Sequence, residues 1–167
     1  MLELSEGLKQ TIDHWVTKFP VEQKRSAVVA ALLAAQEENQ GWLSEPLMHA
    51  IAAYLDLPKI AVFEVATFYD MFELQPIGKH KIGLCTNVSC KLRGSDEIAS
   101  ALKQRLGVSL GETTADGMFT LRETECLGAC ANAPMCQLDD KQFHTDLTPE
   151  SMLAMIDRLE KEAEHAK

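Results

Sequence analysis

Cys85-Thr-Asn-Val-Ser-Cys90 and Cys126-Leu-Gly-Ala-Cys130 carry four of the five cysteines of this 167-residue chain. The pairs are spaced C-x4-C and C-x3-C, and a helix-sized segment separates them. Each pair sits beside a short apolar run, in a loop rich in small residues. Thiolates are strong metal ligands, and two such loops can present four of them to one point. We therefore expect a metal centre to organise this part of the chain.

Composition and charge exclude several classes of protein. The net charge of −9 argues against nucleic-acid binding, which usually needs a basic patch. The longest apolar run, residues 26–35, is far shorter than the roughly 20 residues of a membrane span, so we expect no membrane insertion. The first residues lack the basic start and apolar stretch of a signal peptide. We expect a cytoplasmic protein, in which paired cysteines bind metal or do redox chemistry more often than they form disulfides.

The first 76 residues are predicted to be all-helical. Apolar residues recur every three to four positions, and Ser5 and Ser44 are suited to cap helices. Pro20, Gly41 and the segment around Pro58 divide the pattern. The four predicted helices cover residues 4–19, 21–39, 47–55 and 58–72.

The chain changes character after the turn signal Gln75-Pro-Ile-Gly78. Short β-rich runs alternate with helical patterns in the order β-α-β-β-α, which predicts a small α/β sandwich over residues 77–167. Ser95 and Thr148 are the predicted helix caps, and the last helix is expected to dissolve into the charged tail from residue 160. The predicted elements are strands 79–86, 118–122, 135–138 and 142–144, and helices 95–106 and 148–159.

The cysteine spacing leaves more than one chemistry open. Structural zinc sites favour C-x2-C knuckles, whereas a plant-type [2Fe–2S] site also begins with C-x4-C. Small residues near the cysteines would let backbone N–H groups approach the sulfurs of a cluster. The spacing favours [2Fe–2S] over zinc. Thiol–disulfide exchange is the weakest alternative, because that chemistry uses C-x-x-C.

Other residues give weaker signals. Cys136 lies in an apolar run and is expected to pack in the core rather than bind metal. Glu64 is charged within an apolar helix, so it either faces a partner or a polar pocket, or lies on an exposed helix edge. The five histidines are scattered without ligand spacing. No glycine-rich nucleotide motif is present, so we expect no flavin or nicotinamide site in this chain.

The cysteine segments and their surroundings together resemble one family. The chain is similar to the thioredoxin-like [2Fe–2S] subunits of respiratory NADH:quinone oxidoreductase (complex I), the NuoE or 24-kDa family. The similarity covers nearly the whole chain. It is carried by Cys85-x4-Cys90, Cys126-Leu-Gly-Ala-Cys130-Ala-Asn-Ala-Pro-Met, Glu64-Val-Ala-Thr-Phe-Tyr69, Gly111-Glu-Thr-Thr-Ala-Asp-Gly117, Phe119-Thr-Leu121 and Asp146-Leu-Thr-Pro149.

The resemblance implies an α+β chain in two parts. Residues 1–76 would be a helical docking and support domain, and residues 77–167 a thioredoxin-like domain. The second domain would hold one [2Fe–2S] cluster through Cys85, Cys90, Cys126 and Cys130. The aliphatic residue more usual in the family at position 136 agrees with a packing role for Cys136.

The resemblance also implies partners. A flavoprotein subunit would carry FMN and the NADH site, further peripheral-arm subunits would complete the complex, and the assembly would lie on the cytoplasmic side of the inner membrane. The cluster would exchange one electron with FMN. There are three alternatives. The chain could be the equivalent subunit of an NAD-linked hydrogenase or formate dehydrogenase, a free-standing thioredoxin-like ferredoxin, or a zinc-stabilised adaptor without a redox role.

Overall fold

The computed structural model describes residues 2–165 and separates into two compact units, Met1–Pro76 and Ile77–Lys167. The described part of the first unit contains helices and turns, whereas the second combines helices with a four-stranded sheet. Every helix within residues 2–165 falls short of the length and hydrophobicity that a membrane span requires.

The helices of the first unit begin at residues that the sequence marks as caps. The Ser5 hydroxyl accepts a hydrogen bond from the Leu8 N–H at 3.1 Å, and Ser44 does the same for Leu47 at 3.4 Å. Such caps satisfy N–H groups that a helix start leaves without an intrahelical partner. The elements are α1 (Glu6–Val16), a 3-10 helix (Val21–Ala27), α2 (Val28–Glu38), α3 (Glu45–Tyr54) and α4 (Lys59–Phe68).

Two of the predicted helices in this unit were wrong in extent. The helix expected over 21–39 begins with the 3-10 segment, because Gln23 has non-helical backbone angles (φ −109°, ψ 31°). The helix expected to reach residue 72 ends at Phe68. The buried Gln36 amide explains this end, since it donates to the Met71 carbonyl at 3.0 Å and accepts from the Glu73 N–H at 2.8 Å. These bonds satisfy the backbone of the extended segment that follows the helix.

One apolar core holds the first unit together. It is formed by the inward faces of α1 to α4 and by Phe72, and its members are almost completely buried. Burial of this apolar surface is the main stabilising contribution to such a unit. The most completely buried members include Ile12, Val28, Leu32, Ala35, Ile51 and Val62.

The second unit is built around a four-stranded mixed sheet. Its elements are β1 (His80–Cys85), α5 (Val88–Leu92), α6 (Ser95–Leu106), β2 (Phe119–Thr124), a short 3-10 turn (Cys130–Asn132), β3 (Cys136–Leu138), β4 (Gln142–His144) and α7 (Pro149–His165). The strand order is β2-β1-β3-β4. The central strand β1 runs parallel to β2 and antiparallel to β3, and β3 and β4 form the predicted hairpin.

The two faces of β1 serve different clusters. Ile82 and Leu84 pack with apolar residues of α6 and α7 in the main core, whereas Cys85 belongs to a second, smaller cluster. Successive side chains of a strand point to opposite faces, so the last residue of β1 faces away from its helical cover. The sheet thereby separates the cysteine region from the main core.

Three details of this unit differ from the sequence prediction. The short helix α5, which carries Cys90, was missed. Helix α6 is preceded by Gly94 in the left-handed region (φ 103°), and Ser95, the predicted cap, is completely buried inside the helix. Helix α7 continues to His165 rather than dissolving near residue 160. Ion pairs made by its charged residues, such as Glu160 with Arg105, support the extra turns.

Candidate metal centre

The first cysteine loop is rigidly anchored at both ends. Cys85 is the last residue of the central strand β1 and is only 3% exposed. Asn87 then caps α5 by accepting a hydrogen bond from the Val88 N–H at 2.8 Å, and the helix places Cys90 inward at 2% exposure. A strand end and a capped helix therefore fix the positions of both thiols.

The second cysteine loop connects β2 to β3 and is more open. Cys126 and Cys130 are both exposed. Gly128 between them has a positive φ of 77°, a conformation that glycine adopts without strain, and its N–H donates to the Cys126 sulfur at 3.4 Å. The loop thus turns back towards its own first cysteine before the 3-10 turn that begins at Cys130.

The two loops meet at Met135, the residue before β3. The Cys85 N–H donates to the Met135 carbonyl at 3.1 Å, and the Met135 N–H donates to the Cys90 sulfur. The Cys85 thiol donates to the carbonyl of Glu125, the residue before Cys126, at 4.0 Å, and Cys85 and Cys90 pack in one buried cluster. Within residues 2–165, no three His, Cys, Asp or Glu side chains form a site for a single metal ion.

Burial is the main influence on the Cys90 thiol. Together with the hydrogen bond to the Cys85 thiol, it raises the pKa of Cys90 to about 11, although the Met135 N–H opposes this shift. A metal ligand must be deprotonated, so metal binding at this thiol would release a proton. Cys85 and Cys90 are packed with apolar residues, namely Ala133 and Met135, with Leu127 and Ala129 at the edge.

This donor set fits an iron–sulfur cluster in its chemistry. Sulfur ligands are those that iron–sulfur clusters require, and the surrounding side chains are small or apolar. Backbone N–H groups already point at two sulfurs, those of Cys90 and Cys126. Hydrogen bonds to sulfur are among the features that set the potential of such clusters.

Cys136 lies apart from the other cysteines. It pairs with Leu84 in the antiparallel register and belongs to the main core, on the face of the sheet opposite to Cys85. Residues directly opposite each other in such a pair share a face, which explains the separation. The prediction that Cys136 packs in the core is confirmed.

Glu64 lies on an exposed edge of α4. Its carboxylate pairs with the guanidinium of Arg25, and both side chains are more than half exposed. The exposed-edge interpretation of this residue is therefore the one that agrees with the structure.

Sequence reasoning missed Arg93 as part of the cysteine region. Its guanidinium donates to the carbonyls of Ala131 and Ala133, just after Cys130. Two residues on either side of α5 could have revealed this short helix: the capping residue Asn87 and the helix-ending residue Gly94. Together they would have placed Arg93 at the end of the helix.

The fold and the two cysteine loops define a class of protein: an α/β domain with a mixed four-stranded sheet, in which one cysteine pair follows the central strand β1 and the other lies between β2 and β3. The model of the thioredoxin-like [2Fe–2S] ferredoxin family matches residues 12–160. The chain belongs to this family, and its cofactor is one [2Fe–2S] cluster. The family expected from the sequence is confirmed.

Curated relatives match most of the chain. The E subunit of the NADH-quinone oxidoreductase of Rickettsia bellii (strain RML369-C) is 49% identical over 144 residues, which are 86% of this chain and 86% of the relative. Its counterpart in Rickettsia conorii (strain ATCC VR-613 / Malish 7) is 48% identical over 145 residues, 87% of this chain and 86% of the relative.

A solved structure shares the fold. It is an NAD+-reducing [NiFe]-hydrogenase in the air-oxidized state, which superposes on 78% of this chain with a TM-score of 0.69 and 21% identity. This chain spans only 23% of the length of that hydrogenase chain. At such low identity the likeness concerns the fold.

Proposed function

We propose that the chain is the [2Fe–2S] electron-transfer subunit of an NADH-quinone oxidoreductase. The observation that carries this proposal is identity of 43–49% to five curated subunits of enzymes of that name, over 85–91% of the chain. The chain is then part of an oxidoreductase complex.

Cys85, Cys90, Cys126 and Cys130 are the proposed ligands of the cluster. The packing of Cys85 and Cys90 in one cluster supports this assignment, as does the hydrogen bond of the Cys85 thiol to the carbonyl of Glu125, next to Cys126. The confinement of Cys136 to the main core supports its exclusion. Four thiolates are the full complement that a [2Fe–2S] centre of this kind requires.

The protein around these cysteines would shape the electron transfer. A [2Fe–2S] cluster, when bound, accepts or donates one electron. The buried side of the site, formed by Ala133 and Met135, excludes water from Cys85 and Cys90. The N–H groups of Met135 and Gly128, which donate to sulfur, favour the state of higher negative charge. The open side, at Cys126 and Cys130, is where a redox partner could come nearest to the cluster.

The proposed electron donor is a flavoprotein subunit that carries FMN and binds NADH. Further subunits of the peripheral arm would complete the complex, on the cytoplasmic side of the inner membrane. The helical first unit is proposed to dock and support partners. Two apolar side chains of α4 favour this role, since Ile60 is 64% exposed and Phe68 is 79% exposed. Large exposed apolar side chains that stand together often mark interaction sites.

An NAD-linked hydrogenase is the second candidate complex. The fold shared with an NAD+-reducing [NiFe]-hydrogenase favours it. Purification of the native complex, followed by identification of its subunits by mass spectrometry, separates the candidates. A [NiFe] subunit would indicate the hydrogenase, whereas quinone-reducing subunits would indicate the oxidoreductase.

The function is tested by spectroscopy of the anaerobically purified full chain before and after dithionite. We expect a red-brown protein with the optical spectrum of a [2Fe–2S] cluster, and an electron paramagnetic resonance signal after reduction. Cys126→Ala is expected to abolish the signal, whereas the matched control Cys136→Ala is expected to retain it. A colourless zinc protein would refute the proposed function, and an unchanged spectrum in Cys126→Ala would refute the ligand assignment.

A further inference from the structure

Arg93 is bonded to the backbone of the helix that carries Cys90. It follows the last residue of α5, and its N–H donates to the carbonyls of Cys90 and Lys91. The bond to Cys90 measures 3.1 Å. The backbone of Arg93 is therefore fixed three residues from a proposed ligand in the anchored loop.

The side chain of Arg93 reaches the other cysteine loop. Its Nη1 atom donates to the carbonyls of Ala131 and Ala133, each at 3.1 Å. These carbonyls belong to the residues one and three positions after Cys130. One guanidinium nitrogen thus connects the end of α5 to the segment that leaves the exposed cysteine pair.

The loop before α7 donates hydrogen bonds to the two carbonyls of this segment that Arg93 does not reach. Asn132 accepts from the Asp146 N–H at 2.8 Å, and Pro134 accepts from the Leu147 N–H at 3.0 Å. Along residues 131–134, the first and third carbonyls therefore accept from Arg93, and the second and fourth accept from the loop before α7. The bonds from residues 146 and 147 do not involve α5, whereas those from Arg93 do.

We propose that Arg93 is a positioning residue that holds Cys130 in place relative to Cys90 and so retains the cluster. The proposal rests on the proposed function and its ligand assignment. Cys85 and Cys90 are fixed by a strand end and a helix, but Cys130 is exposed on a loop. A bond to the helix that carries Cys90 therefore restricts the position of Cys130 more than it restricts the pair Cys85 and Cys90.

Arginine suits this task better than lysine or glutamine. Its guanidinium is permanently charged and planar, and each Nη atom has two N–H groups that can serve two carbonyls. Lysine retains the charge without the planar geometry, and glutamine is shorter and uncharged. The three side chains therefore separate an effect of geometry from an effect of charge.

The test compares Arg93→Gln and Arg93→Lys with the wild-type protein and with Arg105→Gln. Arg105 lies on α6 and pairs with Asp157 and Glu160, so its replacement removes the same charge away from the cysteine loops. The measurements are the rate of cluster loss to a chelator under anaerobic conditions, and amide hydrogen exchange in residues 130–135 of the full chain.

We expect both rates to rise about tenfold or more in Arg93→Gln, because the variant loses two hydrogen bonds from a charged donor, each worth about tenfold or more in an equilibrium. Arg93→Lys should lie between Arg93→Gln and the wild type. Arg105→Gln should leave both rates within about twofold of the wild type, since a surface ion pair contributes little.

Two results would overturn the proposal. The first is an unchanged rate of cluster loss in Arg93→Gln, whether or not exchange in residues 130–135 becomes faster. The second is an equal acceleration in Arg105→Gln. Failure of the proposed function is distinguishable, because the wild-type protein would then contain no [2Fe–2S] cluster.

Discussion

The backbone N–H of Cys85 donates a hydrogen bond to the carbonyl of Met135 over 3.1 Å. This bond continues the pairing of β1 with β3, so the first cysteine is joined through the sheet to the residue that ends the second cysteine loop. The sheet therefore fixes where both loops meet. It leaves Cys126 and Cys130 exposed at the far part of the second loop.

This asymmetry predicts the order in which cysteines are alkylated after the cluster is removed. Cys126 and Cys130 should react first, because they are exposed. Cys90 should react on the order of a hundredfold more slowly at pH 8 than an ordinary exposed thiol, since a pKa of about 11 leaves little thiolate. Peptide mass spectrometry at timed intervals measures this order. Equal rates at Cys90 and Cys126 would contradict it.

Cys136 should be inert to alkylation until the protein unfolds. It is fully buried, and burial raises the pKa of its thiol to about 12. Cys136→Val should retain the cluster and change the free energy of unfolding by no more than about 3 kcal/mol, because valine adds one methyl-sized group to a packed core. Urea denaturation and the optical spectrum check both outcomes. Loss of the cluster in this variant would give Cys136 a role that its position in the core does not predict.

The sequence predicted well whatever depends on local pattern. Ser5 and Ser44 were correctly identified as caps, the hairpin was correctly placed, and Cys136 was assigned to the core. Each of these depends on a capping residue, a turn or an apolar run that is readable within a few positions.

The errors arise where distant residues decide the local structure. Helix α4 ends at Phe68 because the side chain of Gln36, more than 30 positions earlier, hydrogen-bonds to the backbone of the segment that follows the helix. Serine is a residue type that often caps helices, but Ser95 is buried as the first residue of α6, and Gly94 occupies the cap position. The contribution of Arg93 to the cysteine region likewise depends on carbonyls 38 and 40 positions away.

Gly78 should not tolerate a side chain. A Cβ atom built at Gly78 would lie 2.9 Å from the backbone N and C atoms of Phe119. Gly78→Ala should therefore destabilise the protein by about 1–3 kcal/mol, as overpacking does in other proteins. Gly7→Ala is the matched control: the atom nearest to a Cβ there is the Ser5 hydroxyl at 3.9 Å, and alanine should stabilise α1 by up to about 1 kcal/mol. Midpoints of urea unfolding measure both, and a neutral Gly78→Ala would contradict the close approach.

Thr114 and Asp116 should make part of the stability dependent on pH. The buried Thr114 hydroxyl accepts from the Phe119 N–H at 3.0 Å and donates to Asp116, whose carboxylate also accepts from the Met118 N–H at 2.9 Å. The Thr114 hydroxyl, and then the Met118 N–H, hold the pKa of Asp116 below its ordinary value. A carboxylate with a lowered folded-state pKa stabilises the protein above its unfolded pKa of about 3.9, and this contribution disappears as the pH falls through the folded value.

Thr114→Val should weaken this pH dependence, because only the Met118 N–H then remains as a donor to Asp116. It should also destabilise the protein at pH 7 by about 1–3 kcal/mol, because the Phe119 N–H is left without its hydroxyl partner. Thr114→Ser retains the hydroxyl and should keep the dependence. Unfolding free energies measured from pH 6 to pH 3 compare the two variants. A valine variant with the wild-type dependence on pH would contradict the role of the hydroxyl.

Ile60 and Phe68 should contribute to binding of the flavoprotein partner. They lie eight residues apart on α4 and so near one face of the helix, and Glu64 between them pairs with Arg25. The double variant Ile60→Ser/Phe68→Ser should weaken retention of the flavoprotein about tenfold or more, as loss of large apolar contacts at an interface does. The [2Fe–2S] spectrum should stay unchanged, since the cysteines lie in the other unit. Val21→Ser is the control, because Val21 is 83% exposed in the same unit but lies outside α4. The affinity for the flavoprotein is measured by titration of the full chains. Undiminished binding in the double variant would show that α4 has no part in docking.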